Sequence, residues 1–335
     1  MTVVSAEAEA TSSSRHRGRA STSIALIVLA SILLPLAGVT VWVRNLVLDS
    51  DRYVDTVAPL SRNPAVRDAV ATRVGSEVVD ALDLQTRAQS ALPQRARSLA
   101  TPIAAGAEQL VRDITVRLLE SEKFDQVWRF ANRRAHDQIV VALTGRENGA
   151  VTTNDGRVVL DLGSLAEDVA RKLGDLGVTV PKTLDVSRLN VKFVLIASDD
   201  LKSVQSYARL LDRLAWVLPL ITLLVFAAAV VIAPKRRRAV LRVGVGVTVA
   251  MAVTLIGYGF ARSTYLDHLP DTVQSSAAAA AIFDTVTRFL ERGMRAILVI
   301  GVLAWVGAWL AGPSKPARAV RRPWRLLTGR AGADR

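Results

Sequence analysis

The sequence contains no cysteine, its 335 residues include three histidines, and aromatic side chains make up 5% of it. Without thiols there is neither a disulfide framework nor a thiolate metal centre, so any folded region must rest on its own packed core. His16, His136 and His268 are scattered, which argues against an imidazole metal site. Catalytic signatures are missing as well. There is no Walker loop, no dinucleotide fingerprint, no Gly-x-Ser-x-Gly elbow and no Ser-x-x-Lys context suited to a hydrolase. Gly244-Val245-Gly246 and Gly257-Tyr258-Gly259 fall inside an apolar run, where small residues serve close helix packing.

What is present is hydrophobicity in long blocks. Half of the residues are hydrophobic and mean hydropathy is positive, which soluble chains rarely show. Residues 24–43 form an uncharged run of 20, enough to cross about 30 Å of hydrocarbon at about 1.5 Å per residue. Its length exceeds the apolar core of a signal peptide, so it reads as an uncleaved anchor. Residues 214–233 and 239–260 form the second and third runs, and 296–312 the fourth. Between the second and third lie Pro234, Lys235, Arg236, Arg237 and Arg238, a short basic connection that predicts a cytoplasmic hairpin loop.

Charge placement agrees with that arrangement. Lys and Arg number 43 against 30 Asp and Glu, a net charge of +13. The tail 1–23 contributes +1, residues 235–242 contribute +5 and the tail 313–335 contributes +6. Residues 44–213 carry 24 basic against 23 acidic groups, and residues 261–295 carry four of each. The excess therefore sits on the side that the rule of internal positive charge calls cytoplasmic. It is a topology signal rather than a nucleic-acid footprint, and no nucleic-acid partner is expected. The predicted layout is a disordered cytoplasmic tail (1–23), span one (24–43), an extracytoplasmic mainly helical α+β domain (44–213), span two (214–233) and a basic loop (234–238). Span three (239–260), an outer helical loop (261–295), span four (296–312) and a basic cytoplasmic tail (313–335) follow.

Within 44–213 the spacing predicts helices first. Val66, Val70, Val74, Val78 and Leu82 recur every four positions after Asn63 as a cap and Pro64 in the first turn. Ile103, Ala107, Leu110, Ile114 and Leu118 form a second stripe. Phe124, Val127, Trp128, Ala131, Ala135, Ile139 and Leu143 form a third, ending at Gly145. The three stripes are expected to share a core. After Gly149 the period changes to two, with Asn154-Asp155-Gly156 as a hairpin turn and Val158 to Leu162 as a strand. Ser164 with Glu167 reads as a capping box, Gly174 and Gly177 as helix stops, and Leu189 to Ala197 as another strand. Ser198-Asp199-Asp200 reads as the start of a helix that continues into span two, and residues 273–292 as a helix leading into span four.

The candidate chemistry is sparse. Asp49, Asp51 and Asp55 could hold a hard cation, but the calcium-loop spacing is absent and a helix cap with an interfacial anchor accounts for them. Asp199 and Asp200 could act as an acidic pair, although capping explains their position. Pro35, Pro219 and the glycines of span three could kink or unwind their helices, as transporters require, yet no span carries an ionisable group near its centre. Ala304, Gly307 and Ala308 offer small faces for helix packing or for homo-oligomerisation. Lys315 to Arg330, interleaved with Val320, Trp324, Leu326 and Leu327, suits adsorption to an anionic leaflet. No cofactor, metal or catalytic residue is assigned.

The stretch Asp49-Ser50-Asp51-Arg52-Tyr53-Val54-Asp55-Thr56-Val57-Ala58-Pro59-Leu60, together with Ser198-Asp199-Asp200-Leu201, resembles an uncharacterised family of actinobacterial integral membrane proteins. The resemblance implies an outer domain, a membrane hairpin and a final span, and carries no activity. The expectation is a non-enzymatic plasma-membrane protein with both termini cytoplasmic, its outer domain binding a partner protein or envelope component beside the lipid bilayer. The alternative is an oligomeric transporter or a lipid-handling component.

Overall fold

In the computed structural model the residues described are 3–82, 86, 89–90, 92–145, 153–154, 157–177, 192–196, 198–270, 273 and 275–311. The tail 313–335, with its basic and apolar interleaving, lies outside them, as do residues 155 and 156 of the expected hairpin turn. Four helices are long and apolar enough to cross a membrane, with candidate spans at Gly18–Val47, Ser203–Ile232, Arg236–Asp267 and Ser276–Leu310. Helix α1 runs Val3–Val47. It therefore starts within the expected tail 1–23, where a run of good helix formers (Ala6 to Ala10) meets neither Gly nor Pro before Gly18.

The segment inserted after α1 is predominantly helical. Helix α2 (Ser50–Val57) leads into a 3₁₀ turn (Ala58–Arg62), followed by α3 (Pro64–Leu82), a second 3₁₀ turn (Gln94–Leu99), α4 (Ala100–Glu120) and α5 (Glu122–Thr144). Asn63 caps α3 as its spacing indicated, its Oδ1 accepting from the backbone N–H groups of Ala65 at 3.0 Å and Val66 at 3.3 Å. Ser121 caps α5 by accepting from the Phe124 N–H, and Gly145 closes it in the left-handed region at φ 68°.

Three short strands follow in an antiparallel sheet: β1 (Thr153–Asn154), β2 (Arg157–Asp161) and β3 (Lys192–Ile196), with Asn154 opposite Arg157 and Val159 opposite Val194. Helix α6 (Leu162–Asp175) lies between β2 and β3 in sequence. It starts two residues before Ser164, so that serine sits in the first turn rather than at the cap. Gly177, at φ 74°, ends the turn beyond it.

Among the described residues three long helices follow: α7 (Ser198–Ile232), α8 (Arg236–Asp267) and α9 (Ser276–Leu310). The chain separates into two compact units. One comprises residues 1–43, 211–261 and 289–335; the other comprises residues 44–210 and 262–288.

The core of the second unit gathers Val57, Leu60, Val66 and Ala278, with Tyr53, Val70 and Trp128 packed around them. The third stripe points inward as its period predicted, Val127 being buried and Phe124, Trp128, Ala131, Ala135, Ile139 and Leu143 half-buried. The second does not. Helix α4 packs on α3 with Ala100, Ala107, Val111 and Leu119 on its buried or half-buried side, while Ile103, Leu110 and Ile114 face out at 50%, 57% and 56% exposure. The expectation that all three stripes share one core is therefore corrected for α4. Small side chains let α4 approach α3, and the larger ones are left outside.

The first unit packs around Val247, Met251 and Met294. Buried Ser23 of α1 donates to the Ala229 carbonyl of α7 at 2.8 Å, a hydrogen bond that joins two spans. At the other contact, between α8 and α9, backbones nearly touch. A Cβ on Gly244 would lie 2.6 Å from the Trp305 nitrogen and 2.9 Å from the Gly301 oxygen, and one on Gly301 would lie 2.9 Å from Val247 Cγ1. Arg237, just inside α8, donates through Nε to the Ala308 carbonyl at 2.9 Å and through Nη2 to that of Trp309 at 3.5 Å. It thereby satisfies carbonyls that the end of α9 leaves unpaired.

Gly244→Ala is expected to destabilise the detergent-solubilised chain by about 1–3 kcal/mol through overpacking. Gly257→Ala, where the added Cβ meets nothing within 4 Å, should be neutral or stabilise by about 0.5–1 kcal/mol by helix propensity. Thermal denaturation of the two variants side by side checks the contrast.

Candidate functional site

The polar groups that the second unit brings together lie where α2 crosses α5. Helix α2 starts there because Asp49 takes the N-cap position, its Oδ1 accepting from the Arg52 N–H at 3.1 Å. One turn of α2 then presents Ser50 and Tyr53 on the same side, the i, i+3 spacing that makes neighbours on a helix.

Facing them from α5 is His136, 4% exposed. Its ring stacks on that of Tyr53 with centroids 4.1 Å apart and planes 15° from parallel. Nε2 lies 3.0 Å from the Leu46 carbonyl oxygen and Nδ1 lies 3.0 Å from Ser50 Oγ. A carbonyl only accepts, so Nε2 bears the proton and Nδ1 of the neutral ring accepts from the Ser50 hydroxyl. Burial pushes the imidazole below its ordinary range, against the smaller opposing pull of the Leu46 hydrogen bond and of Asp137 and Asp49. The ring is therefore neutral at physiological pH.

The network continues along α5. Tyr53 Oη donates to Asn132 Oδ1 at 3.3 Å, and burial raises the phenol above its usual range. Asn132 Nδ2 donates to the Trp128 carbonyl at 2.9 Å, and Trp128 Nε1 donates to the Val57 carbonyl at 3.1 Å, reaching the last turn of α2. Below it, buried Ser61 Oγ lies 2.5 Å from Asp125 Oδ1, while Arg62 donates to Asp125 Oδ2 at 2.9 Å. The Ser61 hydroxyl, followed by Arg62, holds the Asp125 carboxyl below the usual carboxylate range. Arg133 is held above its ordinary value chiefly by its hydrogen bond to Asp51.

Ser50 and His136 have the donor–acceptor polarity of a nucleophile and its base. Their surroundings point elsewhere. The imidazole is closed off by Tyr53, and the Asp49 carboxylate caps the same helix end, a poor neighbour for a developing oxyanion. What the arrangement does physically is fasten α2 to α5 and, through Leu46, to the last turn of α1. Sequence reasoning had weighed His136 only as a scarce metal ligand; a partner 86 positions away leaves no local signal.

The carboxylates singled out beforehand do not converge. Asp49 caps α2 and lies 3.4 Å from Arg44, Asp51 pairs with Arg133, and Asp55 lies 3.7 Å from Arg129. Among the described residues no group of three or more His, Cys, Asp or Glu is placed to hold a metal ion. Asp199 and Asp200 lie in the first turn of α7, but their side chains fall outside the described set.

In the first unit, Pro35 and Pro219 line the same apolar cavity of about 430 Å³, together with Trp42, Phe226, Met251 and Met294. Gly246 packs against α1, a Cβ there lying 2.5 Å from Ser31 Oγ, whereas Gly257 and Gly259 face open space. In comparisons with known proteins, no family model, no curated sequence and no solved structure matches the chain.

Because the His136 value is depressed, the unfolded chain binds that proton more readily than the folded one, so its contribution to stability is complete above about pH 6.5. It is lost as pH falls through the folded value. Melting of the full chain should decline as pH falls from about 6.5 to 5, above the range where Asp125 titrates, and His136→Phe should flatten that decline. An identical slope in the variant would remove His136 from the account.

Proposed function

We propose that this multi-span membrane protein is a non-enzymatic component of the plasma membrane and envelope, whose inserted domain lies on the extracytoplasmic side and binds a partner protein. Its termini are cytoplasmic in this reading, which the concentration of basic residues in 235–242 and 313–335 supports. The observation that carries it is the outer face of α4. Ile103, Leu110 and Ile114 fall within a narrow arc of the helix, each at least half exposed, and a ridge of this kind on a water-facing domain is the signature of an interface. Polar groups next to α2 are consumed by internal hydrogen bonds, which supports an adhesive rather than a catalytic role.

A second reading, a lipid-handling component or an oligomeric transporter, draws support from the meeting of Pro35 and Pro219 at one apolar cavity. Helices that lack two ladder hydrogen bonds at the same level can reshape there.

A photoreactive side chain at position 110, activated in membranes of the native host, separates the possibilities. The expected product is a crosslink to a different protein at defined mass, abolished by Ile114→Glu while thermal stability is kept. Crosslinks to lipid alone, or to a second copy of the chain, would replace the partner reading.

A further inference from the structure

Two adjoining depressions in the first unit share one residue, Arg242. The first is a basic pocket of about 440 Å³ at the α7–α8 connection, lined by Ser23, Lys235, Arg238 and Arg242. The second is a long apolar groove of about 810 Å³ between α1 and α8, lined by Val28, Ser31, Arg242, Gly246, Val249 and Val253. Val28, Val249 and Val253 are each more than half exposed, so the groove opens toward the hydrocarbon that surrounds the spans.

We propose that these two depressions form one binding site for an anionic glycerophospholipid. Cations sit at one end: three side chains carry positive charge into the basic pocket, and Arg237 beside them is occupied with the end of α9. Phosphate is the headgroup element they fit, since guanidinium groups bind it through paired donors. Directly below lies Ser31, whose buried Oγ has no hydrogen-bond partner. Its oxygen is covered by the α8 backbone at Gly246, so Ser31 shapes the floor of the groove, and the headgroup is held by the cations above it.

The spacing along α8 matches that order of groups. Gly246, which a Cβ would bring to 2.5 Å from Ser31 Oγ, is one turn from Arg242, about 6 Å along the axis. That is the depth expected of an ester beneath its phosphate. Val253, about 16 Å from Arg242 along the helix, marks the far end, and an acyl chain extended between Ser31 and Val253 fills the groove. Gly246 sets the floor of the groove: with no side chain there, α1 packs directly against α8 at Ser31. The site is independent of the outer face of α4 and stands whether or not that face binds a protein.

The purified full-length chain, stripped in detergent and titrated with phosphatidylglycerol or phosphatidylcholine under native mass spectrometry, tests this. One phosphatidylglycerol should be retained in preference to phosphatidylcholine. Each of Arg238→Gln and Arg242→Gln should weaken retention about 5-fold, as expected per basic residue beside an anionic headgroup. Arg236→Gln, equal in charge change but outside both depressions, should weaken it less than 2-fold. Val249→Trp, which fills the groove from its exposed side, should lower retention without moving the melting temperature. The proposal is overturned if Arg236→Gln costs as much as Arg242→Gln, which would mean diffuse charge attraction. An unchanged affinity in Val249→Trp, or displacement by inorganic phosphate alone at millimolar concentration, would equally overturn it, since the acyl chain would then contribute nothing.

Discussion

In hydrocarbon there is no water to take up a backbone hydrogen bond, and everything else in this protein is arranged around that constraint. It forces each apolar run into a helix that satisfies its own ladder, and it makes each departure from the ladder conspicuous. The departures here are few and placed. Pro35 and Pro219 fall on the same cavity, Ser23 crosses to the Ala229 carbonyl, and Gly244 and Gly301 bring two backbones into near contact. Helices that no hydrophobic force draws together in lipid hold through such contacts, because close packing and a few polar bonds are what remains to bind them.

Outside the spans the opposite economy applies. A segment with no disulfides must hold itself together by packing and hydrogen bonds, and the α2–α5 crossing concentrates both. The Tyr53–His136 stack buries aromatic area, while Ser50, Asn132, Trp128 and Leu46 supply the bonds that burial demands. Neutrality of the imidazole is part of this: an imidazolium could not accept from Ser50. A residue type associated with catalysis and metals is here a hinge pin, recognisable as such only when both ring nitrogens are accounted for.

Much of the architecture was legible because its signals are local. Twenty-residue apolar runs, the Asn63 cap and the Gly145 stop each depend on residues within a turn or two. The orientation of α4 was not legible, since that helix carries two apolar stripes and hydrophobicity alone favours the larger side chains. The structure selects the alanine-rich one, because proximity to α3 rewards small volume. Nor could sequence have joined Ser31 to Gly246 or His136 to Ser50. Those pairings are made by tertiary contacts between elements more than eighty positions apart.

Arg237 has a further consequence. In the orientation proposed above, its positive charge keeps the α7–α8 connection on the cytoplasmic side. In the finished protein the same side chain clasps the terminal carbonyls of α9. One guanidinium thus joins the connection between α7 and α8 to the end of α9, some seventy residues further along the chain. Lysine would preserve the first role, as a point charge, and lose the forked donor geometry that serves the second.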